Sequence, residues 1–254
     1  MQAHGGRALP APALVCEPLL EWSDHLFTTR GWTLGGASPP SGRDGWHEVA
    51  AALGVEPHRL RRLRQVHGAT VAVAEPEGDS LPDADIVVST QPGVAIAVQA
   101  ADCVPLLIAD RLTGAVAAAH AGWRGLAAQV PIETVKALTR TFGSRPADLL
   151  AAIGPAIGTC CYEVGEDVRA SMAPAFAGLD PSHWFTPGPK SGKWMFDTWA
   201  SAREQLEAAG IPANQLFVAG LCTASHPDAF CSYRRDGPPA GRLAAVIKPR
   251  ARPA

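Results

Sequence analysis

No run of the roughly 18–20 apolar residues that a membrane helix needs occurs in this chain. Its most apolar stretch, Gly93 to Ala109, is broken by Gln99, Asp102 and Pro105. Met1 to Pro12 lacks the apolar segment of a secretory leader. It reads instead as a disordered Ala/Pro/Gly tail, residues 1–12, ahead of a single domain, residues 13–254. Charge of one sign is missing as well. A formal net charge of −2 and a pI near 6.4 give no basic face for nucleic acid and none for an acidic membrane. Six cysteines in 254 residues, with no leader, read as the reduced thiols of a cytoplasmic protein rather than a disulfide framework. No fixed-period repeat is present. Soft stretches at Gly31 to Gly45 and Thr186 to Lys193, rich in Gly and Pro, are expected loops.

What is present is dominated by short apolar runs. Thr70 to Val73, Ile86 to Ser89, Val94 to Ala101, Val104 to Ala109 and Ala115 to His120 read as strands, several buried on both faces because they barely alternate. Asp110 to Gly114 reads as the tight turn of a hairpin. Further strands are expected at Leu149 to Ile153, Gln215 to Ala219 and Leu243 to Ile247. Helices are expected over Gly125 to Phe142, with a start near Pro131, over Val164 to Met172, and over Phe196 to Ala209, closed by Gly210 and Pro212. Strands in runs with flanking helices indicate an α+β fold with mixed sheets.

Three residues share one local pattern: His67-Gly68, Cys103-Val104-Pro105 and His120-Ala121-Gly122. Each ends or enters a strand beside a turn residue, and strand ends are where distant segments converge. Two imidazoles and a thiolate suit zinc and leave a fourth position open. Small neighbours on the same faces (Ala97 and Ala101 for Cys103, Val116 and Ala118 for His120) leave room for a ligand. The same trio also permits a thiol nucleophile, with Cys103 attacking, His120 as base and His67 assisting. A structural zinc in a non-catalytic protein would instead require Cys222, His226 or Cys231 as a fourth ligand.

The stretches Arg64 to Gly68, Gln99 to Pro105 and His120 to Gly125 closely resemble the YfiH-type family, also called the laccase-domain, polyphenol oxidase or peptidoglycan editing factor family. Phe27-Thr28-Thr29-Arg30, Ile153 to Ile157, Cys161 to Gly165, Ser232 to Gly237 and Gly241-Arg242 extend the match from about Leu26 to Ile247. The resemblance implies a four-layer α/β/β/α fold and zinc on His67, Cys103 and His120. It also implies phosphorolysis of purine nucleosides (adenosine, inosine, methylthioadenosine) with phosphate as co-substrate, together with adenosine deamination. Copper-dependent oxidation of phenols is attributed to the family too, and Cu²⁺ displaces Zn²⁺ at most nitrogen and sulfur sites. Between Gly31 and Arg62 the chain departs from the family pattern, being shorter and lacking its Ser-Leu-Asn-Leu-Gly segment and Asn-Arg pair.

Phosphorolysis needs a cationic clamp, for which Arg124, Arg234 and Arg235 are candidates. Gln65 and Asp102 flank ligands and either orient them or satisfy local backbone. Arg59, Arg61, Arg62 and Arg64 read as a solvated helix end. Cys160 and Cys161 read as packing residues, because adjacent cysteines cannot form a normal chelate, and Cys222 and Cys231 as buried. Trp184, Trp194 and Trp199 read as core. The chain is expected to act as a monomer or homodimer. The rival activity is a Cys/His hydrolase or transferase acting on a peptidoglycan precursor.

Overall fold

The computed structural model describes residues 9–35, 45–75, 82–172 and 178–250. In chain order the strands are β1 (Ala13–Leu14), β2 (Ser23–Thr28), β3 (Leu60–Arg61), β4 (Val71–Val73), β5 (Ile86–Ser89), β6 (Ala95–Ala100), β7 (Val104–Asp110), β8 (Val116–Ala121), β9 (Leu149–Ile153), β10 (Glu163–Gly165), β11 (Phe185–Pro187), β12 (Lys193–Phe196), β13 (Leu216–Val218) and β14 (Leu243–Pro249). The helices are α1 (Gly45–Ala52), α2 (Trp123–Ala127), α3 (Val130–Phe142), α4 (Glu166–Met172), α5 (Thr198–Ala208) and α6 (Tyr233–Asp236). One mixed sheet runs β1-β2-β14-β6-β3 and a second runs β13-β9-β7-β8-β5-β4. Within them β3 is parallel to β6, β4 to β5 and β13 to β9.

Side-chain alternation makes four layers of these elements. On β7, Val104, Leu106 and Ile108 join a core with Leu126, Val135, Leu138, Ala202 and Leu206 of the helices. Its other face, Leu107 and Ala109, meets Ile96 and Val98 of β6 and Ala245 and Ile247 of β14, which is sheet against sheet. The reverse face of β6, Ala95 and Ala97, packs with Val246 on Val49, Ala50 and Leu53 of α1 and the following turn. Strands buried on both faces have no polar side to show, hence their near-continuous apolar runs. Helix, sheet, sheet and helix follow in that order, the four-layer arrangement that the family resemblance implied, within the α+β class read from the order of strands and helices.

The structure revises several expected elements. The Gly125 to Phe142 helix is two: a short α2 precedes α3, with Gln129 at φ +60° between them and Pro131 in the first turn of α3. Proline cannot donate within a helix but costs nothing in its first turn. Thr186 to Lys193 is not all loop, since its ends belong to β11 and β12, which pair with β10 in a three-stranded antiparallel sheet. Arg59 lies in a single 3-10 turn and Arg61 in β3 rather than at a helix end. Part of the expected 1–12 tail, residues 1–8, lies outside the described residues. The rest is packed: Leu9 and Ala11 sit against the α1 core, and the Pro12 carbonyl accepts from Thr29 Oγ1 (2.6 Å) and Trp32 Nε1 (3.0 Å). Trp184 is fully buried, and Trp194 and Trp199 pack partly buried on the same core. Among the described residues no helix is long and apolar enough to cross a membrane.

Candidate metal centre

Two crossings between the sheets place the candidate ligands. The chain leaves β3 for β4 through residues 62–70 and leaves β6 for β7 through residues 101–103. Because β3 and β6 are parallel neighbours, both crossings occur at the same end of the sandwich. His67 lies in the first crossing and Cys103 in the second. His120 sits near the end of β8 opposite Pro105 of β7. Among the described residues, one ligand atom from each of the three falls within 4.8 Å of the others, with no further His, Cys or carboxylate in the group. The imidazoles of His67 and His120 meet edge to face, centroids 4.9 Å apart at 85°. Cys222 lies in a separate group with Cys160 and Cys161, so it does not close a fourth position here.

Both crossings are strained and held. His67 has φ +59° and Asp102 φ +91°, conformations that residues with a Cβ rarely adopt. Asp102 is fixed from three sides: its carboxylate accepts from Thr223 Oγ1 (2.6 Å) and the Arg234 amide (2.6 Å), and its carbonyl accepts from Ile157 (2.8 Å). Strain persists only where surroundings over-determine it. The continuous alternation expected from Ala97 to Cys103 is broken by this bend, although Ala97, Ala101 and Cys103 all border the cleft.

The main organiser was not foreseen. Asp85, fully buried, accepts His120 Nδ1 at 2.9 Å and the backbone amides of Val66 (3.2 Å), His67 (3.1 Å) and Gly68 (2.7 Å). One carboxylate therefore fixes the tautomer of one candidate ligand and the loop carrying another, the carboxylate–histidine arrangement common behind metal sites. With Nδ1 engaged, Nε2 of His120 faces the site. Burial pushes the Asp85 carboxyl up, but the His120 and Gly68 bonds outweigh it and hold it low.

Electrostatics without a metal follow from the same contacts. Burial raises the Cys103 thiol, but His120 and then His67 overcome this and bring it down to about 6. Burial depresses His120, yet the Cys103 thiolate and Asp85 lift it to about 9. Cys103 is lowered, so its contribution to stability is complete above the ordinary thiol value and is lost as pH falls through about 6. His120 is raised, so its contribution is complete below the ordinary imidazole value and is lost as pH rises through about 9. Metal-free protein should hold a thiolate–imidazolium pair between these limits. Alkylation of Cys103 followed against pH checks this, with an expected midpoint near 6 rather than near 9.

Gly122 closes the trio from behind. A Cβ there would stand 2.8 Å from Cys103 Sγ and 3.4 Å from His67 Cδ2. Gly122→Ala is expected to push the thiol out of register at a cost of about 1–3 kcal/mol, with at least tenfold weaker binding of any metal held by the trio in a chelator competition.

The trio opens into a cleft of 760 Å³ lined by Trp46, Trp123, Tyr162 and Tyr233 and by Arg62, Arg64, Arg234 and Arg242. Burial, with the nearby Cys103 thiolate, pushes the Tyr162 phenol up and keeps it neutral. Arg234 lies over the Tyr162 ring at 5.0 Å and donates to the Glu163 carbonyl at 2.8 Å. The other two expected clamp arginines are not among the lining residues. Arg124 stacks on Trp123 at 4.2 Å, and Arg235 ties the Thr223, Ala224 and Phe230 carbonyls to Asp236. Arg62, which stacks on Trp46 at 4.9 Å, and Arg64, paired with Asp83, border the cleft although their charge run read as solvated. Gln65 also lines it, and its amide exchanges two hydrogen bonds with the Gln99 backbone (2.7 and 2.8 Å), which tie its loop to β6.

A family model described as multi-copper polyphenol oxidoreductase laccase matches residues 38–250. A purine nucleoside phosphorylase of Deinococcus radiodurans is 37% identical over 260 residues, covering 97% of this chain and 94% of the relative. The purine nucleoside phosphorylase YfiH of Escherichia coli is 39% identical over 196 residues, 77% of this chain and 76% of the relative. The crystal structure of the YfiH protein of Bacillus licheniformis superposes with a TM-score of 0.85 at 29% identity, over 96% of this chain and 98% of that one. By sequence and by fold, the chain belongs to the YfiH-type, laccase-domain family.

Proposed function

We propose that this chain is a zinc-dependent purine nucleoside phosphorylase that also deaminates adenosine, with the metal held by His67, Cys103 and His120. The observation that carries the reading is the joining of that donor set to a cleft with aromatic walls and cationic sides. Two imidazoles and one thiolate, backed by a carboxylate on His120, match an open zinc site. A zinc ion held there would supply Lewis acidity toward an oxygen or nitrogen of the substrate or an attacking water.

The remaining work falls to protein groups. A purine stacks on Trp123, Tyr162 or Tyr233, whose flat faces suit a base. Phosphate is held among Arg62, Arg64, Arg234 and Arg242, since guanidinium forks match phosphate oxygens. Attack of a phosphate oxygen on the anomeric carbon breaks the glycosidic bond. The bonding electrons leave with the purine, which takes up a proton, and ribose 1-phosphate results. Trp46 and Arg62 belong to the segment that departs from the family pattern, so this wall sets the nucleoside preference.

The test is product analysis. Purified protein incubated with adenosine should yield adenine and ribose 1-phosphate in phosphate, and inosine without it. Absence of both product sets, or release of adenine with free ribose that ignores phosphate, contradicts the reading. The thiol-nucleophile alternative rests on one observation, the Cys103 thiolate stabilised by His120. It predicts activity that survives chelation and is lost on alkylation of Cys103.

A further inference from the structure

A second group of metal-ligating side chains lies outside the cleft. The turn after β9 carries Cys160 and Cys161, and the loop after β13 carries Cys222. Among the described residues, the three sulfurs lie within 4.8 Å of one another with no histidine or carboxylate in the group. Adjacency was expected to prevent a normal chelate, but the Cys160 and Cys161 sulfurs lie on the same side of the turn, 3.5 Å apart and both near the Cys222 sulfur. The packing role expected for the adjacent pair does not hold, because Cys160 is exposed and Cys161 only half-buried. What they share is a direction, toward the buried Cys222.

Backbone bonds clasp the two loops. Ala156 and Cys222 form a parallel bridge, with Ala156 N donating to the Leu221 carbonyl (3.3 Å) and Thr223 N to the Ala156 carbonyl (3.1 Å). The turn closes on itself through Cys161 N and Tyr162 N, both donating to the Gly158 carbonyl (3.0 and 3.1 Å). The Gly158 amide donates to Cys222 Sγ at 3.3 Å, which aims that sulfur at the turn. Two hydrogen-bonded loops thus hold three sulfurs together, with the exposed Cys160 giving access from solvent.

We propose that Cys160, Cys161 and Cys222 form a second metal site, an all-sulfur one that takes Cu(I). Soft thiolates select Cu(I) and Zn(II) over harder ions, whereas structural zinc takes four ligands and this group offers three. A trigonal ion with metal–sulfur bonds of about 2.3 Å needs sulfurs about 4 Å apart, within the spread found here. Binding exchanges thiol protons for the ion and involves no change of oxidation state. The site flanks the cleft without entering it: Tyr162, next to Cys161, lines the cleft, and Thr223, next to Cys222, holds Asp102.

The test is an anaerobic Cu(I) titration against a chromophoric Cu(I) chelator. It uses Cys103→Ser protein, so that the cleft thiol does not contribute. One Cu(I) per chain should resist the chelator, and X-ray absorption should show sulfur alone in its first shell. Adding Cys160→Ser, at an exposed position that leaves the core intact, should weaken binding at least 100-fold. Cys222→Ser should do the same, with circular dichroism reporting on its fold. Equal retention of Cu(I) by single and double variants, or nitrogen in the first shell, overturns the site. Tighter binding of Zn(II) than of Cu(I) by the same three thiols overturns the choice of ion.

Discussion

Cys103→Ala protein is expected to purify without zinc and to lose phosphorolysis by more than the ~100-fold that marks the upper end for groups behind a ligand. Cys103 offers the one sulfur in the cleft trio, and two imidazoles alone leave two positions to water. Its thiol sits between both imidazoles and faces Gly122, so truncation leaves a gap rather than a clash, and the fold should survive. Metal analysis and a phosphate-dependent assay on the same preparation check both halves. Full zinc content in Cys103→Ala would remove Cys103 from the metal site. Zinc-free protein with undiminished activity would remove the metal from the reaction.

Asp85→Asn should be the more damaging change to the whole protein, although the residue touches no substrate. Oδ1 accepts from His67 N and His120 Nδ1, and Oδ2 accepts from Val66 N and Gly68 N. An amide nitrogen in place of either oxygen sets a donor against donors. Facing His120, it forces Nδ1 to accept, which puts the proton on Nε2 and removes that nitrogen as a ligand. Facing Val66 and Gly68, it strands two amides of the loop that carries His67. Removing one partner of a buried pair costs about 3–5 kcal/mol, which at about 2–4 °C per kcal/mol for a chain of this size lowers Tm by about 10 °C. Zinc affinity should fall about 10–100-fold as well. Calorimetry and chelator competition read the two effects separately, and an unchanged Tm with unchanged affinity would contradict the role given to Asp85.

The candidate trio was legible because Gly or Pro follows each within two residues, and such patterns are local. The expected strand-end position holds for Cys103 and His120, whereas His67 lies inside the β3 to β4 crossing. Asp85 was not legible. Its partners lie 17 to 19 residues upstream and 35 downstream, and nothing in Asp83-Ala84-Asp85 marks one aspartate as buried. Arg62 and Arg64 were hidden for a similar reason, since a run of four arginines in six residues usually marks a solvated face, and only the β3 to β4 crossing turns two of them toward the cleft. Strand β2 went unread because Ser23, Asp24 and His25 break its apolar pattern, yet Ser23 and His25 are fully buried and bonded to each other at 3.3 Å. The small β10-β12-β11 sheet escaped because Pro and Gly near 187–192 read as loop, which that hairpin connection is. The helix and strand periods that did register came from segments whose apolar faces meet another layer.

The central claim is that a metal at His67, Cys103 and His120 is required for purine nucleoside chemistry in the adjoining cleft. The most direct measurement is adenosine phosphorolysis by one protein preparation before chelation, after it, and after return of zinc at one equivalent per chain. The account predicts that ribose 1-phosphate formation disappears with the metal and returns with it. Undiminished activity in the metal-free protein, abolished instead by alkylating Cys103, would contradict it.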